Sequence, residues 1–364
     1  MSVIDALWYD QSAAANVGRA LLTPASWLYG AIVGARNTRF ERDPHHSTDA
    51  SIPVLSLGNI TVGGTGKTPL AAWAASELRD RGARPAIVLR GYGADEVLVH
   101  RALTPDVPVI ADADRVRGVE AARAIGASCA ILDDAFQHRQ IRRLSDWVLV
   151  AAESWRDDLR LLPAGPLREP VAALARAHVV IVTRKSAPLA QAEAIVASLT
   201  ARFPALGHAV FHLAPSGLVD ALSGATRPFA SLAGERIVAV AAVGATEPFF
   251  AQLREGGAVV RARAFRDHHA FTREDVRAIV AESERADAVV CTLKDAVKLT
   301  PLWPRAAPPL WYVSQLAVCE RGYPTLDRAL EAVATAAARP VASLTAGLAG
   351  PSSSRHGHRS STAD

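Results

Sequence analysis

Residues 51–70 limit what this chain can fold into more than any other stretch. An apolar run at 52–57 reads as a buried strand, and Gly58, Gly63, Gly64 and Gly66 let the backbone turn tightly. Lys67-Thr68 then open a helix expected to run through Glu77. Strand, glycine loop and helix start in that order gather backbone N–H groups around an anion. The cradle comprises Thr61, Val62, Gly63, Gly64, Thr65, Gly66, Lys67 and Thr68. Lys67 is placed to reach the β/γ oxygens of ATP and the Thr68 hydroxyl to hold Mg²⁺. The P-loop pattern has a glycine six residues before its lysine, and here that position is Thr61. Gly63 and Gly64 are expected to supply the missing flexibility. The competing reading, a glycine-rich loop with an incidental lysine, is weakened by the strand before and the helix after. Of 40 basic residues only four are lysines (Lys67, Lys185, Lys294, Lys298), so a lysine kept at 67 points to a need for a compact point charge.

A chain of 364 residues suits two domains, each able to bury a core. With 50% hydrophobic but only 6% aromatic residues, it suits an Ala/Val/Leu-rich α/β protein. Cys129, Cys291 and Cys319 lie far apart without metal-ligand spacing, and two sit in apolar runs, as buried thiols of a reducing compartment do. The net charge of +4 permits an anionic partner. No basic run interleaved with aromatics points to nucleic acid, whereas an anionic membrane surface or acidic lipid fits. No secretory signal is expected at the N-terminus. Residues 20–35 are uncharged, bracketed by Arg19 and Arg36, and include Trp27 and Tyr29. They fall short of the ~20 residues needed to span a bilayer. Two readings stay open: an interfacial helix with aromatic anchors, or a helix docked on the core.

Further strands are expected at 85–90, ending in Gly91-Tyr92-Gly93, and at 130–132, ending in Asp133-Asp134. Strands alternating with helical segments imply parallel βαβ units, so the loop, Gly91-Tyr92-Gly93 and Asp133-Asp134 should share one sheet edge. Asp133-Asp134 has the form of a Walker-B metal site, the alternative being a solvated pair in a turn. Residues 161–170 form a Pro/Gly-rich loop carrying Arg168-Glu169, either a site loop or a rigid connector. After a strand at 178–183 a second α/β pattern begins near residue 200. In it, Asp267-His268-His269 reads as a metal pair, a base or dyad partner, or a helix cap with surface histidines. The segment at 292–298 carries Lys294 and Lys298 behind another strand. The expected divisions are an amphipathic segment at 1–45, a nucleotide-binding domain at 46–195, a second α/β domain at 196–340 and a disordered tail at 341–364.

In their order, these motifs resemble the tetraacyldisaccharide 4′-kinase family, the lipid A 4′-kinases of Gram-negative bacteria. The resemblance runs from residue 21 to about 330. It is carried by Gly58-Asn59 through Pro69, Arg90-Gly91-Tyr92-Gly93, Leu132-Asp133-Asp134 with Gln137-His138, residues 162–170, Asp267-His268 and Lys294-Asp295-Ala296-Val297-Lys298. It implies a P-loop NTPase-like α/β/α domain, a second, smaller α/β domain and an N-terminal membrane-interfacial helix. The implied reaction is ATP- and Mg²⁺-dependent phosphorylation of the 4′-hydroxyl of a tetraacyl glucosamine disaccharide 1-phosphate. It would proceed at the cytoplasmic face of the inner membrane, by a monomer. Carried over residue by residue, Asp95 is the base, paired with His268. Thr68, Asp133 and Asp134 hold the metal, and Asn59, Arg115, Arg168 and Glu169 meet the substrate. Ala94 and Val97 stand where the family has Gly and Pro around that aspartate, the segment before Asp95 is shorter than usual, and Leu293 replaces a frequent Glu.

Two other readings compete. A membrane-associated P-loop ATPase acting as a switch shares the loop and Asp133, but leaves Asp267-His268 and residues 162–170 without a role. A nucleic-acid-binding protein draws on the arginine content, yet the arginines are spread among 36 Asp and Glu residues.

Overall fold

The computed structural model describes residues 3–91, 93–244 and 246–339; the tail expected at 341–364 lies outside them. Twelve strands form one continuous sheet. Its first half contains β1 (Val54–Asn59), β2 (Pro85–Leu89), β3 (Val109–Ala111), β4 (Cys129–Leu132), β5 (Ser145–Ala151) and β6 (Val179–Arg184). The long β7 (Gly207–Asp220) follows, then β8 (Thr226–Arg227), β9 (Arg236–Ala241), β10 (Val259–Ala264), β11 (Ala288–Thr292) and β12 (Leu310–Arg321). The spatial order is β10-β9-β11-β12-β7-β6-β5-β1-β4-β2-β3, with β8 paired to β7. Strands β1 to β6 pair only in parallel among themselves, as do β9, β10 and β11. The antiparallel β7–β12 ribbon joins the two halves.

Every residue of β1, β2 and β4 is buried, the pattern of parallel strands covered on both faces. Helix α1 (Val3–Tyr9) and α2 (Ala13–Arg42) precede the sheet. Helices α3 (Lys67–Asp80), α4 (Ala94–Leu103), α5 (Arg115–Ala124) and α6 (Leu189–Arg202) belong to its first half. Helices α7 (Glu247–Glu255), α8 (Arg273–Glu282) and α9 (Leu293–Leu299) belong to its second. The last helix, α10 (Tyr323–Ala338), falls within the range 196–340 yet returns to the first half. Its Leu326, Leu330 and Val333 are buried with Leu70, Ala74 and Leu78 of α3 and with Leu55 and Leu57 of β1. Arg81 secures the return, donating to Asp327 at 2.5 Å and to the Tyr323 hydroxyl at 3.3 Å.

Helix α2 is longer than the uncharged segment suggested, running 30 residues through Pro24. One of its faces is docked: Ser26 Oγ donates to the Leu161 carbonyl (2.9 Å) and accepts from Ala164 N (3.0 Å), and Val33 is buried. The opposite face exposes Val17, Leu21, Trp27, Leu28 and Ile32, with Trp27 72% accessible. These contacts bear out the reading of a helix docked on the core, while the exposed apolar face is the feature the interfacial reading requires. Tyr29 is a correction: its hydroxyl donates to the Arg168 carbonyl at 2.9 Å, so it anchors the helix to the protein rather than standing with Trp27. Among the described residues no helix is long and apolar enough to cross a membrane.

Candidate active site

The loop between β1 and α3 is braced from several sides. The Asn59 amide donates to Thr65 Oγ1 at 3.1 Å, the Gln137 amide donates to the Asn59 carbonyl at 2.9 Å, and Thr183 Oγ1 donates to the Thr65 carbonyl at 3.0 Å. Thr61 lies in an antiparallel bridge to Leu167, and Val62 N donates to the Pro166 carbonyl at 2.8 Å. Position 61 thus sits in extended backbone, which explains why it is not glycine. The left-handed turns come later, at Gly63 (φ 118°) and Gly66 (φ 82°). A Cβ on Gly66 would meet only the movable tip of Leu213, so it is the positive φ that calls for glycine there. No side chain caps α3, leaving its first N–H groups open to an anion.

Asp133 and Asp134 follow β4, next to the loop on the same sheet edge, where open α/β sheets place ligands. Asp134, with φ 51°, lies 3.5 Å from Lys67 Nζ and accepts from Arg168 at 3.1 Å. Burial pushes its carboxyl upward, but the Lys67 and Arg168 charges outweigh that and hold it below its usual range. Asp133 is 8% accessible; its Oδ2 is 2.8 Å from His100 Nε2, and its Oδ1 is buried without a hydrogen-bond partner. Such an orphaned carboxylate oxygen beside a phosphate cradle fits a hard cation. Among the described residues no group of three or more His, Cys, Asp or Glu is arranged to hold a metal ion. That donor set matches Mg²⁺, which takes one or two carboxylates and completes its shell from phosphates and water.

Asp95 in the first turn of α4 meets His268 on the loop after β10. Asp95 Oδ2 is 3.6 Å from His268 Nδ1 and 3.9 Å from Lys294 Nζ, and Lys294 Nζ is 3.1 Å from His268 Nε2. His268 holds a left-handed conformation (φ 57°), and Asp267 accepts its backbone N–H at 3.0 Å. His269 turns away, bonding Asp275 at 3.1 Å and packing between Phe265 and Phe271; the metal-pair reading of residues 267–269 therefore fails. Glu96, beside Asp95, has its carboxyl pushed up by burial, then by the charges of Asp133 and Asp95. The field at Glu96 shows that the metal-type aspartate and the candidate base share one electrostatic neighbourhood.

The four residues assigned to substrate divide. Arg168 pairs with Asp134 beside Lys67. Asn59 is fully buried as a brace of the loop. Glu169 is fully buried as well, accepting from Arg176 at 2.8 Å and from Asn37 of α2 at 2.8 Å, with Arg36 at 3.7 Å. Arg115 is 2% accessible and donates to the Asp112 carbonyl at 2.7 Å. Burial and then Arg90 lower its guanidinium, against the pull of Asp134 and Asp133. The geometry thus places Asn59 and Glu169 as supports and Arg115 as a buried charge behind the aspartates.

A family profile described as tetraacyldisaccharide-1-P 4′-kinase (LpxK) matches residues 18–98 and 94–335. The chain belongs to this kinase family. It is 37% identical to a tetraacyldisaccharide 4′-kinase of Halorhodospira halophila over 311 residues, 80% of this chain and 86% of that one. With the kinase of Anaeromyxobacter sp. (strain K) it shares 34% identity over 374 residues, covering 93% and 98%. It is also similar to the crystal structure of LpxK from Aquifex aeolicus in complex with ATP, with a TM-score of 0.67 and 25% identity over 86% of this chain and 99% of that one. The two matched segments of this 4′-kinase family member meet at residues 94–98, where Asp95 stands in its shortened surroundings. Sequence reasoning did not find His100 or Glu96. Neither carries a local motif: Glu96 simply follows Asp95, and His100 closes the apolar run Val97-Leu98-Val99.

Proposed function

We propose that the chain transfers the γ-phosphoryl group of ATP to the 4′-hydroxyl of a tetraacyldisaccharide 1-phosphate, a step in lipid A biosynthesis. Residues 63–68 hold the triphosphate through backbone N–H groups and the Lys67 ammonium, which neutralises charge on the transferring group. Asp133 Oδ1, with Thr68 and Asp134, would hold Mg²⁺, whose chemistry here is to shield phosphate charge. Asp95 accepts the proton of the sugar hydroxyl as its oxygen bonds to phosphorus and ADP departs. His268, contacting Asp95 from the other half of the sheet, orients that carboxylate, with Lys294 behind it. The carrying observation is the Asp95–His268 approach of 3.6 Å, which brings residues from opposite halves of the fold together beside the loop–aspartate edge.

The exposed stripe of α2 supports a peripheral position on the cytoplasmic face of the inner membrane, where a lipid acceptor resides. A monomer suffices, because all the proposed groups come from one chain. Division into two lobes is part of the same reading, with α10 grouped with the nucleotide-binding half. The test is incubation with γ-labelled ATP, Mg²⁺ and the disaccharide lipid: label should pass to lipid, and Lys67→Ala should lose it. ATP hydrolysis without labelled lipid would instead favour the switch ATPase.

A further inference from the structure

Helix α4 carries two buried titratable side chains, Asp95 in its first turn and His100 in its last, and the reaction as proposed uses only the first. His100 is fully buried, and its Nε2 lies 2.8 Å from Asp133 Oδ2. Its Nδ1 is buried with no hydrogen-bond partner, as is Asp133 Oδ1. An ionised carboxylate can only accept, so the shared proton sits on His100 Nε2. A second proton on Nδ1 would leave a buried donor without an acceptor, so the neutral Nε2–H form is the one the surroundings satisfy best.

We infer that His100 is a positioning residue for the cation of the reaction proposed above, acting through Asp133. By holding Oδ2 in a charge-assisted hydrogen bond, His100 fixes the carboxylate's rotation and leaves Oδ1 as the single oxygen available to a metal ion. Monodentate presentation matches the strict octahedral demand of Mg²⁺, which a freely rotating or chelating carboxylate serves poorly. The same bond fastens the far end of α4 to the tip of β4. Two hydrogen bonds seat His100 in turn: its carbonyl accepts from Thr104 N and from Thr104 Oγ1, each at 2.8 Å. One short helix thereby sets both the base, Asp95, and the metal-facing oxygen, so their separation is a property of α4 rather than of two independent loops.

The inference rests on the kinase reading, and the test separates the two. Mn²⁺ serves as an EPR-visible probe, titrated into the full-length protein with a non-hydrolysable ATP analogue. His100→Leu should weaken nucleotide-dependent Mn²⁺ binding about tenfold, the size typical of a lost outer-shell partner. Analogue binding in the presence of chelator should stay unchanged. His100→Gln, whose amide nitrogen can stand at the Nε2 position, should recover binding close to that of the parent. Equal Mn²⁺ affinity in the parent and in a folded His100→Leu protein would overturn the inference alone. A parent that binds no Mn²⁺ with nucleotide would overturn the kinase reading and the inference with it. Should His100→Leu not fold, ¹⁵N-histidine spectra of the parent, assigned with His100→Gln, decide: an Nε2–H signal is expected, and an Nδ1–H signal for His100 overturns the inference.

Discussion

The Asp95 carboxylate lies 3.6 Å from Nδ1 of His268, joining the first turn of α4 to a loop from the far half of the sheet. Lys294 stands 3.1 Å from the other nitrogen of the same ring. Both side chains face Oδ2 of Asp95, the proposed base. Asp95→Asn should lower kcat by about 10²- to 10⁴-fold, the span of general-base catalysis, with ATP-analogue affinity preserved. His268→Ala should cost less, because it orients the base without replacing it. Steady-state kinetics on the disaccharide lipid, paired with analogue binding, check both.

Glu96 offers a pH-dependent test. Its carboxyl is pushed up, first by burial and then by Asp133 and Asp95, so the folded state disfavours its charge. A carboxyl raised above its unfolded value loses stabilising power as pH rises from the unfolded pKa, ~4.3, through the folded one. Glu96→Gln should therefore raise the melting temperature of the nucleotide-free protein at pH 7–8. The gain should disappear near pH 4, where the parent is also neutral at this position. Calorimetry across that range reads the difference directly.

The buried Glu169 ties the Pro/Gly loop to α2 through Asn37 and Arg36, with Arg176 as its third partner. Removing one member of a fully buried ionic group costs ~3–5 kcal/mol; because Arg36 and Arg176 keep solvent contact, Glu169→Ala should cost about 2–3 kcal/mol. Urea unfolding measures that loss. Faster protease cleavage in the C-terminal part of α2 should accompany it, since the helix loses one of its anchors.

The exposed stripe on α2 should bind anionic vesicles. Leu21→Glu and Leu28→Glu each remove an apolar side chain whose burial is worth ~1.5–3 kcal/mol, so each should weaken vesicle association about tenfold or more. Turnover of detergent-dispersed substrate should change far less. Flotation and a detergent assay on the same preparations separate the two effects.

Much of the nucleotide-facing edge is legible along the chain because its signals are local. Glycines, a lysine and a threonine between strand and helix specify the cradle, and an aspartate pair at a strand tip needs no distant partner to be noticed. Asp95 and His268 share no local signal; their pairing came from the resemblance to a family. What stayed hidden is burial created by tertiary contact. Glu169, assigned to the substrate through the resemblance, has no local mark of its burial, yet Asn37, Arg36 and Arg176 enclose it. Tyr29 reads as a membrane anchor until the Arg168 carbonyl takes its hydroxyl. His100 carries no mark at all, since only the fold brings it beneath Asp133.

The return of α10 to the first core has a consequence for biosynthesis. Leu326, Leu330 and Val333 complete the apolar surface under α3, so the half of the sheet that is translated first lacks part of its core until α10 is made. During synthesis the α7–α9 half can close around its own core, while the nucleotide-gripping half waits with one side open. The core translated first should therefore be the last to be completed.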